Sequence, residues 1–238
     1  MFGNTVYFLN FNLVKRDYME WVVKVGGSLF PDDAIEFCKA LVGKNAVVIC
    51  GGGDLANKLR EYDVDIKFSN TAAHKTAILC MDILGMLVAD KVDGAEAVYS
   101  MEDAKNAVSD GKLPILLPSR LFEYLDPLEH SWNVTSDSIS VYIARLLKSK
   151  ILIVTNVDGI YDVDPSIDGA KLLKSINAKK LLNFSETSVD VNLPELLLEY
   201  NLNCYVVNGK FPKRAISLIE GKNSKCTFIR GEKKPEVF

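Results

Sequence analysis

The stretch from Trp21 to Phe30 reads W-V-V-K-V-G-G-S-L-F and constrains the fold more than any other part of the chain. Its first residues are mostly β-branched or aromatic and a glycine pair ends the run, which predicts a buried strand followed by a turn. A strand that is apolar on both faces is typical of a parallel sheet covered by helices. Lys24 is the exception, because a lysine there must emerge at the strand's carboxyl end or find an anion.

The turn after this strand is suited to binding an anion. Ligands of open α/β sheets bind at the carboxyl ends of the strands. Gly26 and Gly27 let the backbone approach a ligand and turn its N–H groups outward, and Asp32 and Asp33 offer a cap for a following helix. These features predict a phosphate cradle. The same ten residues are equally consistent with a solvent-facing lysine followed by an ordinary turn. The Walker pattern is absent, so a P-loop enzyme is not indicated.

A second unit repeats the first. The segment 46–50 reads A-V-V-I-C, ends in Gly51-Gly52-Gly53 and continues through Asp54 into a helix predicted to be short. Two such units would place two anion sites side by side along one edge of the sheet. A phosphate donor and its acceptor need that arrangement.

The remaining chain alternates predicted helices and strands. A long helix is predicted over 72–91, a loop over 118–133, and a helix near Ser136 or Asp137, either of which could be only its N-cap. A strand over 150–154 runs into the polar loop 155–165, which is predicted to bind a ligand. The order of elements predicts one α/β domain, a mostly parallel sheet with helices on both faces.

Composition excludes several classes of protein. The net charge of −3 and the scattered Lys and Arg residues argue against nucleic-acid binding. Five well-separated cysteines predict buried free thiols in a reducing cytoplasm. No segment is predicted to span a membrane. Residues 1–20 lack the features of a signal peptide and are expected to be an extension without a role in the fold, with Met19 as an alternative start.

Four segments together resemble the amino acid kinase superfamily, which includes uridylate, acetylglutamate, glutamate and isopentenyl phosphate kinases. They are K-V-G-G-S at 24–28, G-G-G at 51–53, T-S-D at 135–137 and T-N-V-D-G-I-Y-x-x-D-P at 155–165. The resemblance implies a three-layer αβα sandwich forming a single domain over 21–238. Residues 21–135 would bind the phosphoryl acceptor and residues 136–238 would bind ATP with Mg²⁺.

The resemblance also assigns roles to residues. Lys24 would contact the transferring phosphoryl group and Asp137 would orient the lysine, which suits phosphoryl transfer because that reaction requires positioning and cations rather than a covalent nucleophile. No protein ligand for the metal is expected, since ATP would carry the Mg²⁺. The nucleotide-binding candidates are Gly26, Gly27, Ser28, Thr155, Asn156, Asp158, Gly159, Tyr161 and Asp164. The substrate-binding candidates are Gly51, Gly52, Gly53, Asp54, His74, Asp82, Arg120, Trp132 and Thr135.

One segment departs from the pattern of the superfamily. Several members carry a second lysine in G-G-M-x-x-K, whereas the equivalent stretch here reads T-S-V-D-V-N at 187–192. Uridylate kinases also lack this lysine. Lys213 or Arg214 near the nucleotide, or Arg120 near the acceptor, is a candidate replacement.

Two further segments resemble one branch of the superfamily, found in methanogens and in one-carbon-metabolising bacteria. They are A-A-H-K-T-A-I-L-C-M-D at 72–82 and the L-P-S-R and H-S-W-N-V-T-S-D-S runs within 117–138. The methanogen member phosphorylates an aminomethyl-furanmethanol phosphate in methanofuran biosynthesis, which implies the same acceptor here. A uridylate-type kinase and a non-catalytic nucleotide-binding sensor or storage protein are the alternatives. Superfamily members commonly associate, so a homo-oligomer is expected.

Overall fold

The computed structural model describes residues 19–184 and 187–231, and the first 18 residues of the extension predicted over 1–20 lie outside this range. Eight strands in the described residues form one sheet in the order β3-β4-β2-β1-β5-β7-β8-β6. The strands are β1 (Trp21–Val25), β2 (Ala46–Cys50), β3 (Ala95–Val98), β4 (Leu113–Leu116), β5 (Lys150–Thr155), β6 (Ser175–Asn177), β7 (Cys204–Asn208) and β8 (Thr227–Arg230). The helices are α1 (Asp32–Leu41), α2 (Gly53–Ile66), α3 (Asn70–Lys91), α4 (Met101–Ser109), α5 (Ser119–Tyr124), α6 (Ser136–Leu147), α7 (Ala178–Leu181), α8 (Leu193–Tyr200) and α9 (Pro212–Ile219).

Strand β1 lies in the middle of the sheet, as its sequence predicts. It pairs in parallel with β2 on one side and β5 on the other, so that Lys24 lies between Ile49 and Ile153. Successive side chains of β1 enter opposite cores: Val22 packs in one apolar cluster and Val23 in the other. Helices therefore cover both faces of the sheet, and the predicted three-layer α/β fold is confirmed.

The predicted mostly parallel sheet is confirmed, and its one antiparallel strand pair in the described residues lies toward the far edge. Strand β8 pairs antiparallel with β7, and β6, which the sequence analysis did not predict, pairs in parallel with β8. The three-residue β6 is too short to show a hydrophobic period.

Helix boundaries correct several other predictions. Helix α2 has 14 residues rather than being short, and α5 lies within the segment 118–133 that was predicted to be a loop. Helix α1 is preceded by Pro31 and has no side-chain cap, so Asp32 and Asp33 occupy its first turn instead of capping it. The described part of α2 buries none of its residues, which explains why no apolar face revealed its length.

The N-cap of α6 decides between two interpretations of Asp137. Thr135 is the cap, and its side-chain oxygen accepts a hydrogen bond from the backbone N–H of Asp137. Asp137 is therefore inside the first turn of α6, and its carboxylate is free for another role. Neither Ser136 nor Asp137 is the cap.

Met19 and the cysteines bear on two further predictions. Met19 is buried in the core, so the fold begins before residue 21. All five cysteines are free, and four of them are buried.

Helix α3 is long and apolar enough to cross a membrane by composition alone, yet half of that stretch is buried inside the described fold, as in a core helix.

Candidate active site

Two clefts meet at the carboxyl ends of the central strands. The larger, of about 650 Å³, is formed mainly by the loop that follows β5 and by Asn183, Phe184, Thr187 and Ser188. The smaller, of about 300 Å³, contains Lys24 and both glycine turns. Thr155, the last residue of β5, lines both clefts. The two clefts therefore adjoin at Thr155.

A buried ion pair lies in the smaller cleft. Lys24 Nζ is 2.7 Å from Asp137 Oδ1, and the two side chains are only 11% and 6% exposed. The pair forms because Lys24 projects from β1 toward the face that α6 covers, and Asp137 lies in the first turn of that helix. A carboxylate at this distance fixes the position of the ammonium group, which remains at the cleft wall.

Asp190 holds the first turn of α6 in place, a role that sequence reasoning missed. Its carboxylate accepts hydrogen bonds from the backbone and hydroxyl groups of both Thr135 and Ser138, and from the backbone N–H of Leu193. Its own N–H donates to Asp137 Oδ2 at 3.0 Å. Burial, and then the nearby charge of Asp137, raise the pKa of Asp190. The only signal in the sequence was its place in 187–192, where the superfamily pattern breaks.

The two glycine turns pack directly against each other. A Cβ atom on Gly27 would lie 2.3 Å from the backbone of Gly53, and one on Gly51 would lie 2.9 Å from the nitrogen of Gly27. Gly53 itself has a φ of +53°, which glycine adopts without strain. Burial raises the pKa of the neighbouring Cys50 thiol to about 12, so the thiol is not a ready nucleophile.

Asp158, within the loop after β5, anchors this loop to neighbouring segments of the chain. Its carboxylate accepts hydrogen bonds from Asn208 and Arg214 and forms an ion pair with Lys225 at 2.5 Å. Burial alone would raise the pKa of Asp158, but the bonds from Lys225, Arg214 and Asn208 outweigh it and lower the pKa to about 2. Asp158 lies outside the residues that line the larger cleft, so it supports the loop from behind. Gly159, with a φ of +150°, has no room for a side chain beside Thr227.

Most other predicted nucleotide-binding residues do line the larger cleft. Asn156, Gly159, Tyr161 and Asp164 are in its wall together with Thr155. Gly26, Gly27 and Ser28 line the smaller cleft instead, beside Lys24. The glycine turn after β1 is therefore closer to the predicted acceptor than to the predicted nucleotide base.

The outer wall of the smaller cleft is built around Trp132. The indole N–H donates to Asp63 at 2.8 Å, and the Arg60 guanidinium lies 5.0 Å from the ring centroid. Arg60 also donates to the backbone oxygen of Trp132. Arg60, which the sequence analysis did not select, is thus a cation lining this cleft.

Predicted acceptor contacts divide into two groups. Gly51, Gly52, Gly53, His74, Trp132 and Thr135 line the smaller cleft. Asp54, Asp82 and Arg120 are not among the lining residues. Asp54 and Asp82, both predicted to bind the acceptor, therefore lie outside the described lining of this cleft.

Each residue of the second group is engaged elsewhere or exposed. Asp82 accepts hydrogen bonds from the backbone N–H and the hydroxyl of Ser119, and so fixes the start of α5. Arg120 lies over the ring of Tyr99. Of the other candidate replacements for the missing lysine, Arg214 is the one paired to the loop after β5, through Asp158.

A central parallel strand with a lysine, two packed glycine turns and two adjoining clefts define an α/β phosphotransferase site. Residues 19–208 match the amino acid kinase family. The chain belongs to that family, as the sequence motifs predict.

Known relatives agree with this assignment. The chain is 42% identical over 217 residues to "[5-(aminomethyl)furan-3-yl]methyl phosphate kinase" of Methanocaldococcus jannaschii, which covers 88% of this chain and 97% of that protein. It is 26% identical to the uridylate kinase of Thermococcus kodakarensis, over 87% of this chain and 97% of that protein. The uridylate kinase structure from Archaeoglobus fulgidus is 20% identical, with a TM-score of 0.69 over 89% of this chain and all of that chain.

Proposed function

We propose that this protein is an ATP-dependent kinase that converts a small phosphate monoester into a diphosphate. The observation that carries the proposal is the Lys24–Asp137 pair in a glycine-lined cleft that adjoins a second cleft at Thr155. An oxygen of the acceptor phosphate attacks the γ-phosphorus of ATP, the bond from that phosphorus to the β,γ-bridging oxygen breaks, and ADP leaves. The Lys24 ammonium balances the negative charge that spreads over the transferring group.

The metal is assigned to the nucleotide. The carboxylates nearest to Lys24 are already engaged, because Asp137 pairs with the lysine and Asp190 accepts five hydrogen bonds. Mg²⁺ prefers oxygen ligands and usually keeps substrate phosphates and water in its shell, so the phosphates of ATP would hold it here. When bound, it would neutralise charge on the donor phosphates.

The acceptor that fits best is [5-(aminomethyl)furan-3-yl]methyl phosphate, the substrate named for the 42% identical relative. Backbone N–H groups of the glycine turn Gly51–Gly53 and the Arg60 guanidinium can hold its phosphate, and the indole of Trp132 can cover its flat ring. No Asp or Glu belongs to the described lining of this cleft, so its ammonium group would meet hydroxyl or carbonyl oxygens instead.

Residues 21–135 are proposed to bind this acceptor and residues 136–238 to bind ATP. The described lining of the smaller cleft extends past this boundary to Ile139 and Thr155, where the two halves would join. A location in the cytoplasm suits this chemistry, because ATP is supplied there and the free cysteines remain reduced.

Association into a homo-oligomer is proposed to involve α3. Four large apolar side chains on this helix are about half exposed: Leu79, Ile83, Met86 and Leu87. Their spacing of four, three and one residues places them on one face. A contiguous apolar face of this kind is typical of a surface that another chain covers.

A panel of acceptors tests the function. ADP production from ATP and Mg²⁺ is measured with the furan phosphate, its unphosphorylated alcohol, uridine monophosphate and other phosphorylated small alcohols. We expect turnover with the furan phosphate and none with the alcohol. Turnover with uridine monophosphate alone would identify a uridylate-type kinase, and ATP binding without turnover on any acceptor would identify a sensor.

A further inference from the structure

The chain has only two histidines, and both lie in one cluster, in which His74 lines the smaller cleft. His74, from the first turns of α3, and His130, from the segment between α5 and α6, have nearly parallel rings with centroids 4.6 Å apart. Between them is Asp126, whose Oδ2 is 3.2 Å from His74 Nε2 and 3.1 Å from His130 Nε2. The one ligand atom offered by each residue lies within 4.8 Å of the other two.

The two nitrogen–oxygen distances are compatible with atoms that share one cation. Transition-metal bonds to imidazole nitrogen and carboxylate oxygen are about 2.0–2.2 Å, so two ligands at 90–110° around one ion are about 2.8–3.6 Å apart. Both nitrogen–oxygen separations fall in that interval. Two imidazoles with one carboxylate suit Zn²⁺ and similar first-row ions, whereas Mg²⁺ and Ca²⁺ prefer oxygen ligands.

The burial of His74 is a second, independent observation at this cluster. Its side chain is only 2% exposed, and Nε2 has no hydrogen-bond partner among the described residues, although Asp126 is 3.2 Å away. A buried imidazole nitrogen that faces a carboxylate oxygen without a hydrogen bond to it can bind a metal ion together with that oxygen.

Neighbouring groups fix the other two ligands in the required orientation. Thr71 Oγ1 is 2.9 Å from His130 Nδ1 and can accept the proton of that nitrogen, which leaves the lone pair of Nε2 pointing at Asp126. The backbone N–H of Leu128 donates to Asp126 Oδ1 and leaves Oδ2 for the cluster. Such contacts behind the ligands are usual in metal sites.

We propose that His74 Nε2, Asp126 Oδ2 and His130 Nε2 bind one divalent first-row transition-metal ion. This site is separate from the Mg²⁺ that ATP would carry. The ion would tie the segment between α5 and α6 to the start of α3. Trp132 follows His130 by two residues, so the ion would hold the indole against the smaller cleft.

Imidazole NMR tests the proposal directly, because two histidines give two sets of ring signals. Untagged protein labelled with ¹⁵N-histidine is freed of metal with a chelator and titrated with ZnCl₂ in the absence of nucleotide. We expect the Nε2 signals of both rings to shift together and to saturate at one equivalent. Signals that respond to pH but not to Zn²⁺ would show that the cluster binds only a proton. A Zn²⁺-induced shift of His130 alone would show that His74 is not a ligand, and either result would overturn the proposal.

Variants locate the binding. Asp126→Asn and His130→Gln are each expected to weaken Zn²⁺ binding at least about tenfold in a chelator competition. Glu129→Gln removes an exposed carboxylate beside His130 and should bind Zn²⁺ as the parent does. Circular dichroism checks that each variant folds, and if neither ligand variant folds, the titration of the parent protein decides. Parental affinity in both folded ligand variants would overturn the site.

Discussion

Lys24 combines a structural and a chemical role in one side chain. It is the one charged residue of a buried central strand, and only Asp137 compensates its charge within the described residues. Removing one partner of a buried ion pair leaves the other charge unpaired. A test of catalysis at this position must therefore measure stability as well.

Replacing Lys24 by methionine, which keeps the length and apolar bulk, should lower kcat by about 10²-fold or more, since the lost charge acts mainly in the transition state. The dissociation constant of ATP should change far less. Stopped-flow binding and steady-state rates measure the two effects, and thermal unfolding detects loss of fold. Lys39→Met, an exposed lysine of α1, is the control and should change neither. A folded Lys24→Met protein with parental kcat would remove Lys24 from the mechanism.

Asp82 illustrates a residue whose type suggested binding but whose contacts indicate a structural role. Asp82→Asn should leave the Michaelis constant for the acceptor unchanged, because the side chain does not line the cleft. It should lower the free energy of unfolding by about 1 kcal/mol, since the amide NH₂ group of asparagine cannot accept the hydrogen bond that Asp82 Oδ2 accepts from the Ser119 hydroxyl. Urea unfolding and acceptor kinetics measure both, with the exposed Asp54→Asn as control. A raised Michaelis constant with parental stability would restore the acceptor role.

At the scale of elements, the sequence predicted the strands and turns that depend on the pattern of neighbouring residues. Strand β1, its glycine turn and the loop after β5 followed from apolar runs broken by glycine. The pair Lys24–Asp137 was expected only through the family resemblance, because nothing local indicates that residues 113 positions apart meet. Asp190 and the cluster of His74, Asp126 and His130 escaped prediction because their roles depend on contacts between distant segments.

The loop after β5 depends on Asp158, and this dependence should appear in acid. Because the folded pKa of Asp158 is lowered to about 2, its contribution to stability is present above the ordinary carboxyl pKa, near 4, and is lost as the pH falls from about 4 to 2. Asp158→Asn should therefore cost about 1–2 kcal/mol at pH 7, after allowance for the exposed Lys225, and much less at pH 2. Urea unfolding at a series of pH values measures the difference.

Asp164→Asn is the matched control for this prediction. Asp164 is an exposed carboxylate of the same loop, and its bonds are local, to Ser166. Its replacement should shift the unfolding curve little at any pH. If Asp158→Asn lost as much stability at pH 2 as at pH 7, the ionised carboxylate would not be the anchor.

At the scale of the whole molecule, the exposed apolar face of α3 bears on whether the chains associate. Met86→Glu should shift a homo-oligomer toward the monomer, because a charge in a buried apolar contact is costly. Light scattering after size exclusion measures the mass. Ile167→Glu, which changes an equally exposed side chain in the loop after β5, should leave the mass unchanged. A parent protein that is monomeric at all concentrations would contradict the proposal.

Thr155 lines both clefts, and this shared wall has a consequence for the order of kinetic events. If each ligand occupies its own cleft and the two meet at one residue, both must be bound before the phosphoryl group moves. Initial rates measured against ATP at several fixed acceptor concentrations should then give intersecting double-reciprocal lines. Parallel lines would reveal a phosphorylated enzyme that forms before the acceptor enters.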